Sequence, residues 1–273
     1  MAVPEAVTDV HDPRVADYTA LNDPASRRRV ERAGGYFVVE GTLAIGRLLA
    51  TGEWTIRSLF LLPRVADRLA GALADLDVPV LVADEDGLRQ VVGFDLHRGA
   101  LASVARRPPA DLDSLLDGAR LLLVTEGVND HENLGALYRN AAAFGADAVL
   151  VDPTSADPFY RRSVRVSVGN VLAVPTGHLG ALPGAVQDLR DRGVTTVALS
   201  PAADADLRDL DLSTVGAGPV ALLVGAEGPG LTAATLEAAD HRVAIAMAPD
   251  VDSLNVATAA AIALHHLAPI GRR

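Results

Sequence analysis

Three polar stretches sit where apolar runs end, and they hold the residues of this chain best placed to do chemistry. The first, from Glu126 to Arg139, passes through NDHEN into a helical pattern with Asn133 in its first turn. The second is Gly225-Ala226-Glu227-Gly228-Pro229-Gly230, where Glu227 stands among glycines, positioned to orient a substrate or hold an arginine. The third is Ser253-Leu254-Asn255, just ahead of an alanine-rich run. Each also has a plainer structural use. Asn133 would cap its helix, Arg139 would be a surface arginine, Glu227 a turn residue near a helix N-terminus, and Ser253 and Asn255 part of an N-cap. Asn133 and Arg139 lie about 240° apart around a helix. One site uses both only by wrapping round that helix or by drawing on a second chain.

The second and third stretches frame a corner suited to a ligand. The apolar run VALLVG enters the glycine turn, a second strand is expected from Val243 to Met247, and the polar loop and last helix follow. Small residues at both strand ends give a ligand room to approach the main chain. No lysine follows the glycines, which excludes the GxxxxGK[ST] phosphate loop, and neither half has GxGxxG after its first strand. Cysteine is absent, which excludes disulfides, thiolate metal sites, iron–sulfur clusters and C5-methylation of nucleic acid through a covalent cysteine. His265 and His266 end the last helix without an acidic or histidine partner at ligand spacing, so no metal is expected.

A net charge of −11 argues against general nucleic-acid affinity, because phosphate contacts dominate such binding. An RNA surface would therefore be local. The candidates are Arg27, Arg28 and Arg29 with Arg32, the pair Arg106-Arg107, and Arg161, Arg162 and Arg165; a solvated helix face is the alternative for each. Every basic residue is arginine, which reflects coding bias. No apolar run approaches the ~20 residues that span a bilayer. The acidic N-terminus lacks the apolar segment of a secretory signal, so a soluble cytoplasmic protein without membrane partners is expected.

The elements that must hold these stretches alternate. After an acidic, aperiodic arm over 1–25 comes a helix from Ser26 to Gly34-Gly35. YFVVEG, TIRSLFLL, VPVLVAD and GALASVARR then read as strands, with helices over TLAIGRLLATG, RVADRLAGALADL and EDGLRQVVGF between them, an α/β domain over 26–107. Arg106-Arg107-Pro108-Pro109 breaks the pattern and opens a linker over 108–118. A second α/β domain over 119–273 follows, with a largely parallel sheet. Its strands are LLLVTEG, ADAVLVDP and VTTVALS, and FYRRSVRVSVGNVLAVP is expected to be a short arginine-rich helix leading into a strand that Pro175 ends.

Taken together, NLGALYRNAAAFGAD (133–147), LLVGAEGPGLT (222–232) and IAMAPDVDSLNVATAAAIAL (245–264) resemble the three motifs of the SpoU/TrmH family of RNA ribose 2′-O-methyltransferases, in the SPOUT superfamily. Order and spacing match across about residues 120–268. FVVEG (37–41) and HRGALASV (97–104) resemble the family's N-terminal extension, a small α/β RNA-recognition domain similar to certain ribosomal proteins. The resemblance implies a C-terminal trefoil knot, a homodimer with a shared site, and S-adenosylmethionine held around Leu199, Gly225, Ile245 and Leu254. It places Arg139 at the reacting hydroxyl, with Asn133, Glu227, Ser253 and Asn255 positioning the nucleotide. A guanidinium is always protonated, so Arg139 suits charge stabilisation and phosphate gripping better than proton abstraction. Asn140 departs from the family, which often carries a small hydroxyl residue there. The activity so implied is 2′-O-methylation of rRNA, with tRNA, or a non-catalytic ribosome-assembly role, as alternatives.

Overall fold

The computed structural model describes residues 4–19, 21, 30–96, 99–211 and 218–268. Arg27, Arg28 and Arg29 lie outside the described residues, as do Ser26, His97 and Arg98. Contacts divide the chain into two units. Met1–Pro108 joins with Phe159–Leu172, and Pro109–Pro158 joins with Ala173–Arg273.

The first unit is built on a mixed sheet of β1 (Glu5–Ala6), β2 (Tyr36–Glu40), β3 (Ile56–Leu61), β4 (Val80–Val82) and β5 (Ala100–Ala105), in the order β1-β4-β3-β5-β2. β1, β4 and β3 run parallel, and β5 is antiparallel to β3 and β2. The helices Thr42–Thr51, Pro63–Leu73 and Glu85–Val92 follow β2, β3 and β4. The last of these starts where the Asp84 carboxylate accepts from Gly87 N at 2.8 Å and stops at Gly93, whose φ of 85° suits glycine.

The expected loose arm is instead part of this unit over its described residues. β1 adds to the sheet edge, Pro13–Tyr18 forms a 3-10 turn, and the fully buried Tyr18 hydroxyl bonds Ser58 Oγ at 2.8 Å. Aperiodic apolar residues held one at a time leave no sequence repeat to detect. Burial pushes the Tyr18 phenol above its ordinary range.

All five residues of β2 are buried, Glu40 included. The segment Phe159–Leu172 supplies the reason. Arg161 and Arg165, on the helix Arg161–Val166, both pair with the Glu40 carboxylate, and Arg161 also stacks on Phe94 at 4.6 Å. A buried carboxylate needs such partners. These two arginines, expected at RNA, therefore have a protein partner. Phe159 closes an aromatic cluster with Phe37 and Trp54, and the Trp54 indole donates to Leu172 O at 2.9 Å. Arg106 stacks on Phe37 and Arg107 on Trp54. No strand forms before Pro175. A turn at Val168 and Gly169, both at positive φ, leads to the 3-10 turn Asn170–Leu172.

The second unit is an all-parallel sheet of β6 (Leu121–Glu126), β7 (Ala148–Val151), β8 (Thr176–His178), β9 (Thr195–Leu199), β10 (Ala205–Asp206), β11 (Val220–Gly225) and β12 (His241–Ala244). Their order is β10-β12-β9-β11-β6-β7-β8. LLLVTE in β6 and VALLVG in β11 are apolar almost throughout because central parallel strands are covered on both faces. Leu122, Val124, Leu150, Leu189, Ala198 and Leu223 are core residues here. The expected linker is not a separate element: Leu112–Leu116 is a helix of this unit, capped by Asp111 accepting from Ser114 N at 3.0 Å. Residues 245–247 were expected in a strand, yet β12 stops at Ala244, where its pairing with β9 and β10 ends.

Candidate active site

Because every strand of the second sheet points the same way, β6, β9, β11 and β12 deliver their carboxyl ends to one edge. Open α/β sheets bind ligands at that edge. Glu126 and Gly225 are direct cross-strand partners there, and Leu199 faces Val243.

Gly225 leads into a turn that folds back on itself. Gly230 N donates to Ala226 O at 2.9 Å, and Gly228 and Gly230 adopt φ of 91° and 70°. An ideal Cβ on Gly225 would lie 2.0 Å from the Gly230 carbonyl carbon, so only glycine fits. The exit of the turn is fixed from below. The buried Glu126 carboxylate accepts from Thr232 N and Oγ1 at 2.9 Å each and from Thr235 Oγ1 at 2.8 Å. Sequence reasoning gave Glu126 no role; an acid closing an otherwise apolar strand was its only signal.

Beside the turn lies a pocket of about 430 Å³. Leu199, Gly225, Ile245 and Leu254 line it, as do Glu227, Ser253 and Asn255. Ser200, Pro201 and Met247, which the sequence did not single out, line it too. Asn133 and Arg139 do not line the pocket. Asn133 nevertheless joins its wall: its Nδ2 donates to Glu227 Oε2 at 2.9 Å, and its Oδ1 accepts from Asn255 Nδ2 at 2.8 Å. One carboxamide thus ties the three polar stretches together.

The local helices explain this placement. Asp130, not Asn133, caps the helix His131–Phe144, accepting from Glu132 N and Asn133 N at 2.9 and 2.8 Å. Asn133 is left free to turn its side chain inward, and it is buried. Asn255 does both jobs, capping the helix Val256–Leu267 through Ala257 N and Thr258 N while donating to Asn133. Asn140 braces the same helix start, its Nδ2 donating to Ala257 O at 2.7 Å. Arg139 is exposed and makes no hydrogen bond or ion pair among the described residues. It is a cation held available on a rigid helix.

The loop after β6 is set by Asp152, which accepts from Gly127 N, Thr154 and Ser155. Burial alone would raise its pKa, but bonds from Ser155, Thr154 and Gly127 outweigh that and hold it below the ordinary aspartate value. Burial pushes the Tyr138 phenol above its usual range, beside Thr176 Oγ1 at 2.7 Å. Among the described residues, no group of three or more His, Cys, Asp or Glu side chains could hold a metal ion. No helix among them is long and apolar enough to cross a membrane.

Comparison with known proteins identifies the family of the chain. An uncharacterised tRNA/rRNA methyltransferase of Mycobacterium tuberculosis is 41% identical over 96% of this chain and 93% of its own length. The 23S rRNA (guanosine-2'-O-)-methyltransferase RlmB of Ralstonia nicotianae is 37% identical over 74% of this chain and 80% of its own. The AdoMet-bound rRNA methyltransferase of Sinorhizobium meliloti superposes with a TM-score of 0.78 at 27% identity, covering 97% of each chain. Residues 120–265 match the SpoU rRNA Methylase family, and this chain belongs to it.

Proposed function

We propose that this protein transfers a methyl group from S-adenosylmethionine to a ribose 2′-hydroxyl in rRNA, and that it does so as a homodimer. Family membership carries the coarser part, RNA methyl transfer from S-adenosylmethionine. The finer part is supported by the name of the R. nicotianae relative and by the Asn133 bridge. That bridge is the observation on which the reading stands, because it joins all three motifs at one pocket wall.

The pocket suits the cofactor. A ligand of that size lies against main chain where Gly225 has no side chain, and against apolar Leu199, Ile245 and Leu254. When bound, S-adenosylmethionine supplies a methyl group on a positively charged sulfur. Asn133 and Asn255 hold Glu227 in place, and Ser253 offers a hydroxyl to the nucleotide. Arg139, always cationic, grips the neighbouring phosphate and steadies charge developing on the ribose oxygen. A dimer-shared site would reconcile the inward Asn133 with the outward Arg139.

The first unit would recognise the RNA, through Arg32 and Arg162 with the Arg27–Arg29 run, while Arg161 and Arg165 serve Glu40. The segment after β11 would be threaded into the trefoil knot, its chain crossing β9 to form β12. Such an enzyme would work in the cytoplasm, where its substrate is.

The test is transfer of labelled methyl to separated, unmodified rRNA and tRNA pools. Label in rRNA at an alkali-resistant linkage is expected. Label in tRNA alone would overturn the substrate assignment, and no label with cofactor binding intact would favour an assembly role.

A further inference from the structure

We propose that the first unit binds an unpaired nucleotide of the RNA substrate, whose base stacks on the Arg107 guanidinium that Trp54 holds flat. The inference rests on the RNA-recognition role given to this unit above.

Arg57, Arg106, Arg107 and Arg161 of this unit all stack on aromatic rings. Such stacks occur about once per 70–80 residues, so a unit of this size would hold roughly one or two. Arg106 and Arg161 are mostly buried and serve the interior, at the aromatic cluster and at Glu40. Arg57 and Arg107 are 44% and 43% exposed. Arg57 lies 5.0 Å from the Tyr36 ring, and that tyrosine is itself buried. Arg107 lies closer to its ring, 4.3 Å from the Trp54 centroid, and Trp54 is only half-buried. Of the four, this last pair offers a stacked surface to solvent.

The surface is rigid. The Trp54 indole N–H donates to Leu172 O at 2.9 Å, and Phe37 and Phe159 meet its ring at steep angles with centroids 5.4 Å away. Arg107 is held along its edge, where it donates to Glu53 O and faces Glu53 Oε2 at 3.4 Å. One face and one edge are therefore occupied, and the other face is what the exposed side chain has to offer. Glu53 also offsets the charge. A guanidinium so placed is poorly matched to a phosphate and well matched to the flat face of a base. Its orientation is set before a ligand arrives, which lowers the entropy cost of binding.

A base within a duplex is already stacked on its neighbours, so an unpaired one is required. The strand carrying it has a cation close by. Arg106 N donates to Gly35 O at 2.8 Å, and Gly35 N donates to Arg32 O at 3.3 Å, which brings Arg32 to the same end of the sheet. Arg32 is exposed, and its side chain makes no hydrogen bond or ion pair among the described residues. It is free to take a phosphate of that strand. In a chain of net charge −11, stacking supplies affinity that bulk charge does not.

Trp54 is the only tryptophan of the chain, so its fluorescence reads the platform directly. The full chain is titrated with unmodified rRNA and, in parallel, with unmodified tRNA, following Trp54 emission and filter retention together. We expect the emission to change as rRNA binds, a result that needs no variant. Arg107→Lys keeps the charge and loses the plane, so retention should weaken about ten-fold, as it should in Arg107→Ala. The salt dependence of both should match wild type, whereas Arg32→Ala should lower that slope by about one. Retention of rRNA with Trp54 emission unmoved overturns the proposal. So does wild-type binding by Arg107→Lys with a slope lowered by about one in Arg107→Ala, which would make Arg107 a phosphate contact. An emission change with tRNA alone would support the platform and sink the rRNA assignment. No retention of either RNA by the wild type would sink RNA recognition by this unit, and the platform with it.

Discussion

Asn133 and Glu227, 94 residues apart in sequence, are joined by a 2.9 Å hydrogen bond in which the amide donates and the carboxylate accepts. The opposite end of the same amide accepts from Asn255 at 2.8 Å. Asn133→Asp separates these functions, since it can still accept from Asn255 but sets a second carboxylate against Glu227. Losing a bond to a charged group at a part-buried site costs about 1–3 kcal/mol. We expect kcat to fall roughly 10- to 100-fold, with S-adenosylhomocysteine affinity measured by calorimetry little changed. Equal activity in Asn133→Asp and wild type would show that the link to Glu227 has no part in the reaction.

Arg139 differs from most of the described arginines in having no carboxylate partner among the described residues. Its removal therefore costs the fold little. Arg139→Ala is expected to abolish methyl transfer while cofactor affinity and Tm stay close to wild type. Arg139→Lys should recover only part of the loss, because an ammonium cannot match a planar fork against phosphate. Calorimetry and sedimentation on both variants check this. A drop in cofactor affinity, or loss of the proposed dimer, would move Arg139 out of the reaction and into assembly.

Gly225→Ala tests the pocket from the main chain. The added Cβ would sit 2.0 Å from Gly230 C and 2.1 Å from Leu231 N, both backbone atoms that cannot swing aside. The turn must open, at a cost of about 1–3 kcal/mol or more. S-Adenosylhomocysteine binding should weaken by at least about ten-fold, beyond any fall in Tm. Gly228→Ala is the comparison. Nothing lies within 4 Å of its Cβ, so only the strain of a φ of 91° is felt.

The parallel sheet was legible because its central strands are unbroken apolar runs, and the three polar stretches were legible because they end them. The roles within those stretches were less so. Asn133 lies three residues after the true cap, Asp130, and spacing alone does not separate a cap from a residue in the first turn. Tyr18 and Phe159–Leu172 were misread for a different reason. Tyr18 finds Ser58 forty residues away, and Arg161 finds Glu40 at a separation of 121, contacts that leave no local pattern. Glu126 carried its only signal in being acidic at a strand end. Its three donors come from Thr232 and Thr235, more than 100 residues on.

Asp152 makes the site's support dependent on acid. Its carboxylate sits below the ordinary aspartate value of 3.8 because the Ser155, Thr154 and Gly127 donors outweigh the effect of burial. A carboxylate with a lowered folded pKa contributes stability that is fully present above the unfolded value and lost as pH falls through the folded one. Asp152→Asn should therefore be less stable than wild type at pH 7, by about 1–3 kcal/mol. An amide offers one acceptor oxygen where five donor groups converge, and its own N–H groups would face some of them. The deficit should hold down to about pH 4 and then shrink, as the wild-type carboxylate itself becomes protonated. Melting curves of both proteins between pH 7 and pH 3 measure it. A deficit that stays constant across that range would mean that the side chain's shape, and not its charge, holds the loop after β6.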